Sequence, residues 1–312
     1  MNDSTRTPPA LVALDWGTSN LRASLLDGQG RLVEARSAPG GVMSVPDGRF
    51  AETLVGLVGD WLREHRCPVI ASGMIGSRQG WKEAPYLACP AGPAQAAAAL
   101  THVQLPDQLG VLHIVPGLSC MGADGQADVM RGEETQLWGA ELAAGVCCVL
   151  PGTHAKWAWT GAQGRVETFR TFMTGELYGL LTKHGILGRL MTFGHDDAAS
   201  FAQGVRLGLA EHACATHVIF AARTAGLMGR IAPQGLPDFL SGILIGVEIG
   251  SATRDARPVA VAVLGDDELC ARYETALQIA GVASTRARAD ATTRGQWRLA
   301  QAAGLVGTEV TQ

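Results

Sequence analysis

The stretch "VALDWGTSNLRASLLDGQGRLVEAR", residues 12–36, decides how the rest of the chain is read. An apolar run meets Asp15, breaks at a Gly-Thr-Ser-Asn turn, and resumes as a second run closed by Asp27-Gly28-Gln29-Gly30. Taken as strands over residues 10–16, 20–27 and 31–37 joined by tight turns, it predicts an antiparallel meander. A carboxylate and a turn of small residues then sit at the tip of the first buried strand. Such turns expose successive backbone N–H groups, and Gly and Thr let a phosphate come close to them. Thr, Ser and Asn side chains add donors, and a carboxylate on the adjoining strand suits Mg²⁺, held directly or through water.

The pattern returns. "GVCCVLPGTHAKWAWTGAQGRVETFRTF" (145–172) is again strand, Gly-Thr turn, strand, Gly-containing turn, strand. Val12–Asn20 and Cys148–Lys156 align as an apolar run followed by Gly-Thr and two further residues, about 135 residues apart. One such hairpin occurs in many β proteins. Two of them, opening two lobes on one supersecondary plan, can grip a triphosphate from both sides of a cleft. The expected division is an N-terminal lobe over 1–144, a C-terminal lobe over 145–290, and a C-terminal helix over 291–312 that packs back on the first lobe.

Composition narrows the function classes. At 312 residues, with 47% hydrophobic and 17% charged residues, the chain reads as globular with room for two lobes. Net charge is −4 with both signs mixed, and no basic arm or polybasic helix suggests nucleic acid or a membrane surface. Seven scattered cysteines without a C-x-x-C pair argue against a disulfide framework and a structural zinc, and Cys147 and Cys148 read as strand core. The N-terminus is polar without an apolar signal region, and no segment reaches the roughly 20 apolar residues that span a bilayer. A cytoplasmic home is expected. The eight histidines show no H-E-x-x-H or paired spacing, so a transition-metal site is not expected.

Elsewhere, Leu54, Leu57, Val58 and Leu62 give 51–66 one helical face. Residues 68–92 start as a short strand and dissolve into a Gly-rich loop, 94–103 is a weak helix, and 110–118 is a buried strand. A helix over 131–145 has acids in its first turn, where the macrodipole favours them. Helices follow at 174–184, 197–213, 215–231 and 238–254, then a strand at 258–265, a helix at 266–281, a strand at 282–289 and a helix at 293–307.

The paired hairpins resemble those of the sugar kinase, actin and acetate kinase ATPase superfamily. More closely, "DWGTSNLRA", "GMIGSRQGWKEAPYL", "MRGEETQLWG", "LPGTHAKW", "FRTFMTGELYGLL" and "FLSGILIGVEI" together resemble the 2-dehydro-3-deoxygalactonokinases. The match runs in order over nearly the whole chain. The resemblance implies an α/β fold of two ribonuclease-H-like lobes, the actin-like ATPase fold, with a nucleotide and substrate cleft between them. It implies ATP-dependent phosphorylation of the terminal hydroxyl of 2-dehydro-3-deoxy-D-galactonate, in bacterial D-galactonate breakdown, with ATP and Mg²⁺. A kinase of another small acid or amino sugar, or a non-catalytic ATP- and sugar-binding regulator, is the alternative, and a homodimer stays open.

Under that reading Asp15 is the Mg²⁺-linked carboxylate, and Gly17, Thr18, Ser19 and Asn20 line the phosphate side, while Trp16 packs. Gly152, Thr153 and His154 form the second phosphate hairpin, with Lys156 near enough to balance charge. Many sugar kinases start that hairpin with an Asp that acts as base; here the position is Pro151, which cannot take a proton. "DVMRGEETQ" offers replacements: Glu133 first, then Glu134, then Asp128, against the plainer account of acids at a helix start. A substrate carboxylate calls for a cation, from Arg131, Arg78, Lys82 or Arg170, with Arg the better bidentate partner. Ser72, Gly73, Met74 and Gly76 would form a loop over the sugar, with Trp81 as a wall. Gly265 marks the strand-to-helix turn expected near adenine, and Thr174-Gly175-Glu176 reads locally as a helix cap. In "SGILIGVEIG" the small residues allow close packing or nucleotide approach, packing being the simpler account.

Overall fold

Strand β1 (Pro9–Trp16) is buried from Leu11 to Leu14, as an apolar run in the middle of a sheet should be. The structure, a computed structural model, describes residues 7–122, 125–254 and 258–307; the expectation of a polar N-terminus falls largely on residues 1–6, outside the described residues. Antiparallel pairing joins β1 to β2 (Asn20–Asp27) and β2 to β3 (Leu32–Pro39), with Asp15 opposite Arg22. Helix α1 (Phe50–His65) then buries Phe50, Leu54, Val58, Trp61 and Leu62 and returns the chain to β4 (Val69–Ser72). β4 runs parallel to β1, with Asp15 beside Ser72, and all four of its residues are buried.

After β5 (Tyr86–Ala88) and α2 (Pro93–Ala98), strands β6 (Thr101–Gln104) and β7 (Val111–Ile114) complete a six-stranded sheet ordered β3-β2-β1-β4-β7-β6. β8 (Gly117–Met121) and β9 (Ala127–Met130) join β5 in a separate three-stranded sheet ordered β5-β8-β9. The single strand expected over 110–118 is therefore two, which separate at Val115-Pro116 and serve different sheets. Helix α3 (Glu133–Ala140) ends sooner than expected because Glu141 takes a left-handed conformation (φ 54°) that closes it.

The second sheet repeats the plan. β10 (Cys147–Leu150), β11 (Ala155–Thr160) and β12 (Val166–Phe172) form its meander. Helices α4 (Thr174–Lys183), α5 (Ala198–Ala210), α6 (Ala215–Ile219), α7 (Ala221–Leu227) and α8 (Leu236–Ala252) follow. β13 (Ala260–Val263), α9 (Asp267–Ile279) and β14 (Ala283–Arg286) then close a sheet ordered β12-β11-β10-β13-β14. β13 is parallel to β10 and to β14, matching the parallel β1–β4–β7 succession of the first sheet. The long helix expected over 215–231 breaks at Phe220, between α6 and α7.

Helix α10 (Ala291–Ala302) crosses α3 so closely that a Cβ on Gly139 would lie 1.8 Å from the Ala291 carbonyl oxygen, and one on Gly295 1.9 Å from that of Thr135. By contacts, one unit comprises the described residues up to Gly145 together with Thr160–Thr168 and those from Arg288 on; the second comprises Val146–Trp159 and Phe169–Ala287. All seven cysteines are free thiols, Cys147 and Cys148 buried in β10. Among the described residues no helix is long and apolar enough to cross a membrane.

Candidate active site

In the first unit the hairpin between β1 and β2 is held from behind. The carbonyls of Gly17, Thr18 and Ser19 accept from the amides of Val42, Met43 and Gly41, whereas the amides of Thr18 and Ser19 have no partner among the described residues. Gly41 must be glycine here, since a Cβ would lie 2.2 Å from the Thr18 carbonyl oxygen. Gly17 is different: its Cβ would have 3.8 Å of clearance and its φ is not positive, so nothing among the described residues demands a missing side chain. Thr18, Ser19 and Asn20 are exposed. Trp16 is fully buried and donates from Nε1 to the Gly40 carbonyl at 2.9 Å, in keeping with a packing role.

Asp15 stands half-buried at the end of β1, with Arg22 Nη1 3.6 Å from its Oδ2. Burial pushes its carboxyl above the ordinary range; Arg22 opposes that and Glu133 adds to it. Glu133 comes near through two glycines set back to back. Gly73 (φ +97°) would place a Cβ 2.8 Å from the Trp16 carbonyl oxygen, and Gly132 (φ +110°) would place one 3.3 Å from Gly73 Cα. Both conformations disfavour a side chain, and at Gly73 the space excludes one. The start of α3 is thereby drawn to the ends of the parallel strands β1 and β4, the usual place for ligand chemistry in α/β sheets.

Sequence reasoning missed Gln296. Buried on α10, it donates from Nε2 to the Leu14 carbonyl at 2.7 Å and to Ser72 Oγ at 2.9 Å, tying β1 and β4 together beside Asp15. The only local hint was a polar residue on the buried face of an amphipathic helix.

The three candidate bases separate. Glu133 is half-buried, and its Oε2 accepts the Arg131 amide at 3.2 Å. Glu134 is fully buried and turned inward, accepting from the Gly132 amide at 2.6 Å and Thr135 Oγ1 at 3.1 Å. Burial first, then Glu133, raise its pKa to about 7. It braces the Gly132 turn and presents no surface to a substrate, which corrects its expected place as second-choice base. Asp128 lies on β9 of the small sheet, where its carboxylate accepts the Val129 amide at 2.8 Å.

Among the cations, Arg131 is buried, its guanidinium 4.3 Å above the Tyr86 ring and its Nη2 donating to the Ala84 carbonyl at 2.7 Å. Its Nε and Nη1 have no hydrogen-bond partner among the described residues, which is costly for a buried guanidinium. Arg78 is exposed, 3.8 Å from Glu83, and Lys82 spends a proton on the His102 carbonyl at 3.0 Å. Trp81 stacks on Phe50, centroids 6.1 Å apart, so its ring is anchored to the core. Met74 is half-buried and packs on the same core, while Arg170 lies on β12 in the other unit.

The second unit has its own version of the hairpin. Gly152 has nothing within 4 Å of its would-be Cβ, and Thr153 and His154 are exposed. The bracing comes from the start of α4: the Glu176 amide donates to the Thr153 carbonyl at 2.9 Å, and a Cβ on Gly175 would strike the Gly152 carbonyl oxygen at 2.4 Å. Thr174-Gly175-Glu176 is thus more than a cap. The His154 ring pairs with the Glu176 carboxylate. Lys156 is buried, its Nζ donating to the His154 carbonyl at 3.4 Å. Pro151 lies beside Gly265, whose Cβ would be 3.5 Å from the proline carbonyl oxygen, so the Gly265 turn does adjoin the hairpin. Next to them opens a cavity of about 520 Å³ lined by Gly152, Thr174, Gly175, Tyr178, Arg272 and Tyr273, among others. On its wall Arg272 pairs with Asp238 at 2.6 Å and lies over Phe201.

Residues 15–299 match the 2-keto-3-deoxy-galactonokinase family, a span that starts at Asp15 and runs into α10. The 2-dehydro-3-deoxygalactonokinase of Escherichia coli (strain K12) is 38% identical over 282 residues, covering 89% of this chain and 93% of the relative. The chain belongs to the 2-keto-3-deoxy-galactonokinase family. As a family member it is a kinase, a transferase of carbohydrate metabolism. A crystal structure from Sinorhizobium meliloti, assigned provisionally to the same kinase, superposes with a TM-score of 0.86 at 35% identity, covering 94% of this chain and 98% of that one. Ligand-bound xylulose kinase from Lactobacillus acidophilus matches with a TM-score of 0.50 at 10% identity, over 96% of this chain and 90% of that one. That more distant likeness concerns the fold alone, and it places this family with the actin-like ATPase fold of the sugar kinases, as the sequence had implied.

Proposed function

We propose that this kinase transfers the γ-phosphoryl group of ATP to the C6 hydroxyl of 2-dehydro-3-deoxy-D-galactonate, giving 2-dehydro-3-deoxy-6-phosphogalactonate and ADP, in cytoplasmic D-galactonate catabolism. The observation that carries it is the pair of braced hairpins whose glycines, Gly17 and Gly152, are left open by their own chain. At a strand-to-strand turn whose tip is braced from behind, such a glycine leaves room for phosphate oxygens to come close.

The roles follow from the surroundings. Second-unit residues take the nucleotide: the Gly152-Thr153-His154 hairpin and Lys156 suit the phosphates, and the cavity that Gly152, Thr174 and Tyr273 line suits the nucleoside. Gly17, Thr18, Ser19 and Asn20 offer amides and hydroxyls to phosphoryl oxygens, where fixed donors stabilise charge at little reorganisation cost. The donor set around Asp15 fits Mg²⁺, which takes one or two carboxylates and completes its shell with water and substrate oxygens. When bound, Mg²⁺ would neutralise charge on the β- and γ-phosphoryl oxygens.

Glu133 is the base. It accepts the C6 hydroxyl proton as that oxygen bonds to the γ-phosphorus and the bond to the β,γ-bridging oxygen breaks. Arg131, next to the Gly132 turn and Glu133, is the cation assigned to the substrate carboxylate, with Gly73 packed against Gly132. A coupled ADP-release assay with ATP and Mg²⁺ tests the reading. Turnover is expected with 2-dehydro-3-deoxygalactonate and not with N-acetylglucosamine or acetate. Equal turnover with the gluconate epimer would broaden the substrate, and silence with every acceptor would overturn the activity.

A further inference from the structure

The motif "FLSGILIGVEI" on α8 is only partly explained by packing. Its glycines serve the crossing with α5: Cβ atoms on Gly242 and Gly246 would lie 2.2 and 2.4 Å from the carbonyl oxygens of Phe201 and Val205. Glu248, in the same motif, has no such account. It is 1% exposed on an otherwise apolar stretch of helix. One carboxylate oxygen accepts from Trp157 Nε1 at 2.8 Å; the other accepts from Tyr273 Oη at 2.7 Å and from Thr174 Oγ1. Among the described residues no cation pairs with it, and burial pushes its pKa up against the pull of those three donors.

A buried carboxylate without a cation is expensive, and an apolar residue of similar size would pack there at lower cost. What distinguishes Glu248 is where its three partners lead. Trp157 follows Lys156 on β11, and Thr174 is the first residue of α4, next to the Gly175 that presses on the Gly152 carbonyl. Thr174 and Tyr273 both line the 520 Å³ cavity. We propose that Glu248 is a positioning residue for the nucleotide site: from beneath the cavity it fixes Thr174 and Tyr273, and through the first turn of α4 it holds the second hairpin in shape for the phosphates. The inference rests on the assignment of ATP to this unit.

The test compares Glu248→Gln, Tyr273→Phe and the double variant in the full chain, using ATP with Mg²⁺ in calorimetry and both substrates in steady-state kinetics. Glutamine keeps the size and the acceptor for Trp157, and Tyr273→Phe deletes one hydroxyl only, so at least one variant folds. Each single variant is expected to weaken ATP binding and raise the KM for ATP about tenfold, with kcat and the sugar-acid KM within about twofold. The double variant should lose less than the product of the singles, because they share one contact. Unchanged ATP binding in both variants, or a loss shared equally by both substrates, would overturn the positioning role. Failure of the unaltered chain to bind ATP would instead overturn the assignment of the nucleotide, and the positioning role with it.

Discussion

The two hairpins share a scaffold and differ in charge. In each, the residues just after the third strand turn back to hold the tip: 41–43 after β3, and Gly175-Glu176 after β12. In each, the leading glycine is open. The first, however, has a carboxylate at its strand end with Glu133 near it, whereas the second has Pro151 there and carries a buried lysine on its return strand. On the proposed roles one plan serves two chemistries. The first hairpin would hold a cation beside Glu133 as well as phosphoryl oxygens, and the second would take phosphate oxygens alone. On those roles, with Pro151 in place of an acid, proton transfer is assigned to the unit that carries Asp15.

The strongest way to break that comparison is to make the first hairpin electrically like the second. Asp15→Asn keeps the size and the turn and removes the carboxylate, and it is expected to lower kcat by about 10³ or more while the chain stays folded. Steady-state kinetics over a range of Mg²⁺ concentrations checks it. A loss under tenfold would mean that the carboxylate only closes the turn.

The next contrast lies within α3, between two adjacent acids. The unfolded Glu134 carboxyl loses its proton near 4.5 and the folded one near 7. Between those values the folded state binds more protons, so stability falls as pH rises, by about 3 kcal/mol across the window. Thermal unfolding of Glu134→Gln from pH 4 to 8 should show most of that slope removed; an unchanged slope would show that Glu134 does not set it. Glu133→Gln should keep most of the slope, because burial is the larger cause and the Glu133 charge the smaller one, and should lower kcat about 10²-fold, the usual scale of a general base. If the two variants exchanged these effects, the assignment of base and brace would be reversed.

What was legible follows from range. The meanders β1–β3 and β10–β12 could be read because neighbouring strands leave alternation and turn residues within a short stretch. The small sheet could not, since β5 is three residues long and pairs in parallel with a strand about 30 residues on. The break at Phe220 was hidden in an alanine-rich run suited to helix on either side. In the site, Asp15 and both glycine turns showed themselves locally. Gln296 and Glu248 did not, because each lies on a helix whose partners come from elements far away in sequence. The inward turn of Glu134 was likewise invisible, depending on two positive-φ glycines 59 residues apart that meet only in three dimensions.

The finest comparison sets the open glycine of the second hairpin against the closed one that braces it from α4. At Gly152 an added methyl meets no protein atom within 4 Å, so Gly152→Ala should unfold at the unaltered temperature. It should nonetheless raise the KM for ATP about tenfold, because the methyl occupies space reserved for phosphate oxygens. At Gly175 the methyl would meet the Gly152 carbonyl oxygen at 2.4 Å. Gly175→Ala should therefore cost about 1–3 kcal/mol of stability, seen as a lowered Tm, and weaken ATP binding by displacing the tip. Gly17→Ala, with 3.8 Å of clearance, should behave as Gly152→Ala does. If alanine at 17 and 152 were silent in both stability and ATP binding, the openness of those glycines would be incidental. The argument that a ligand accounts for them would then fail, while the fold and the bracing would stand.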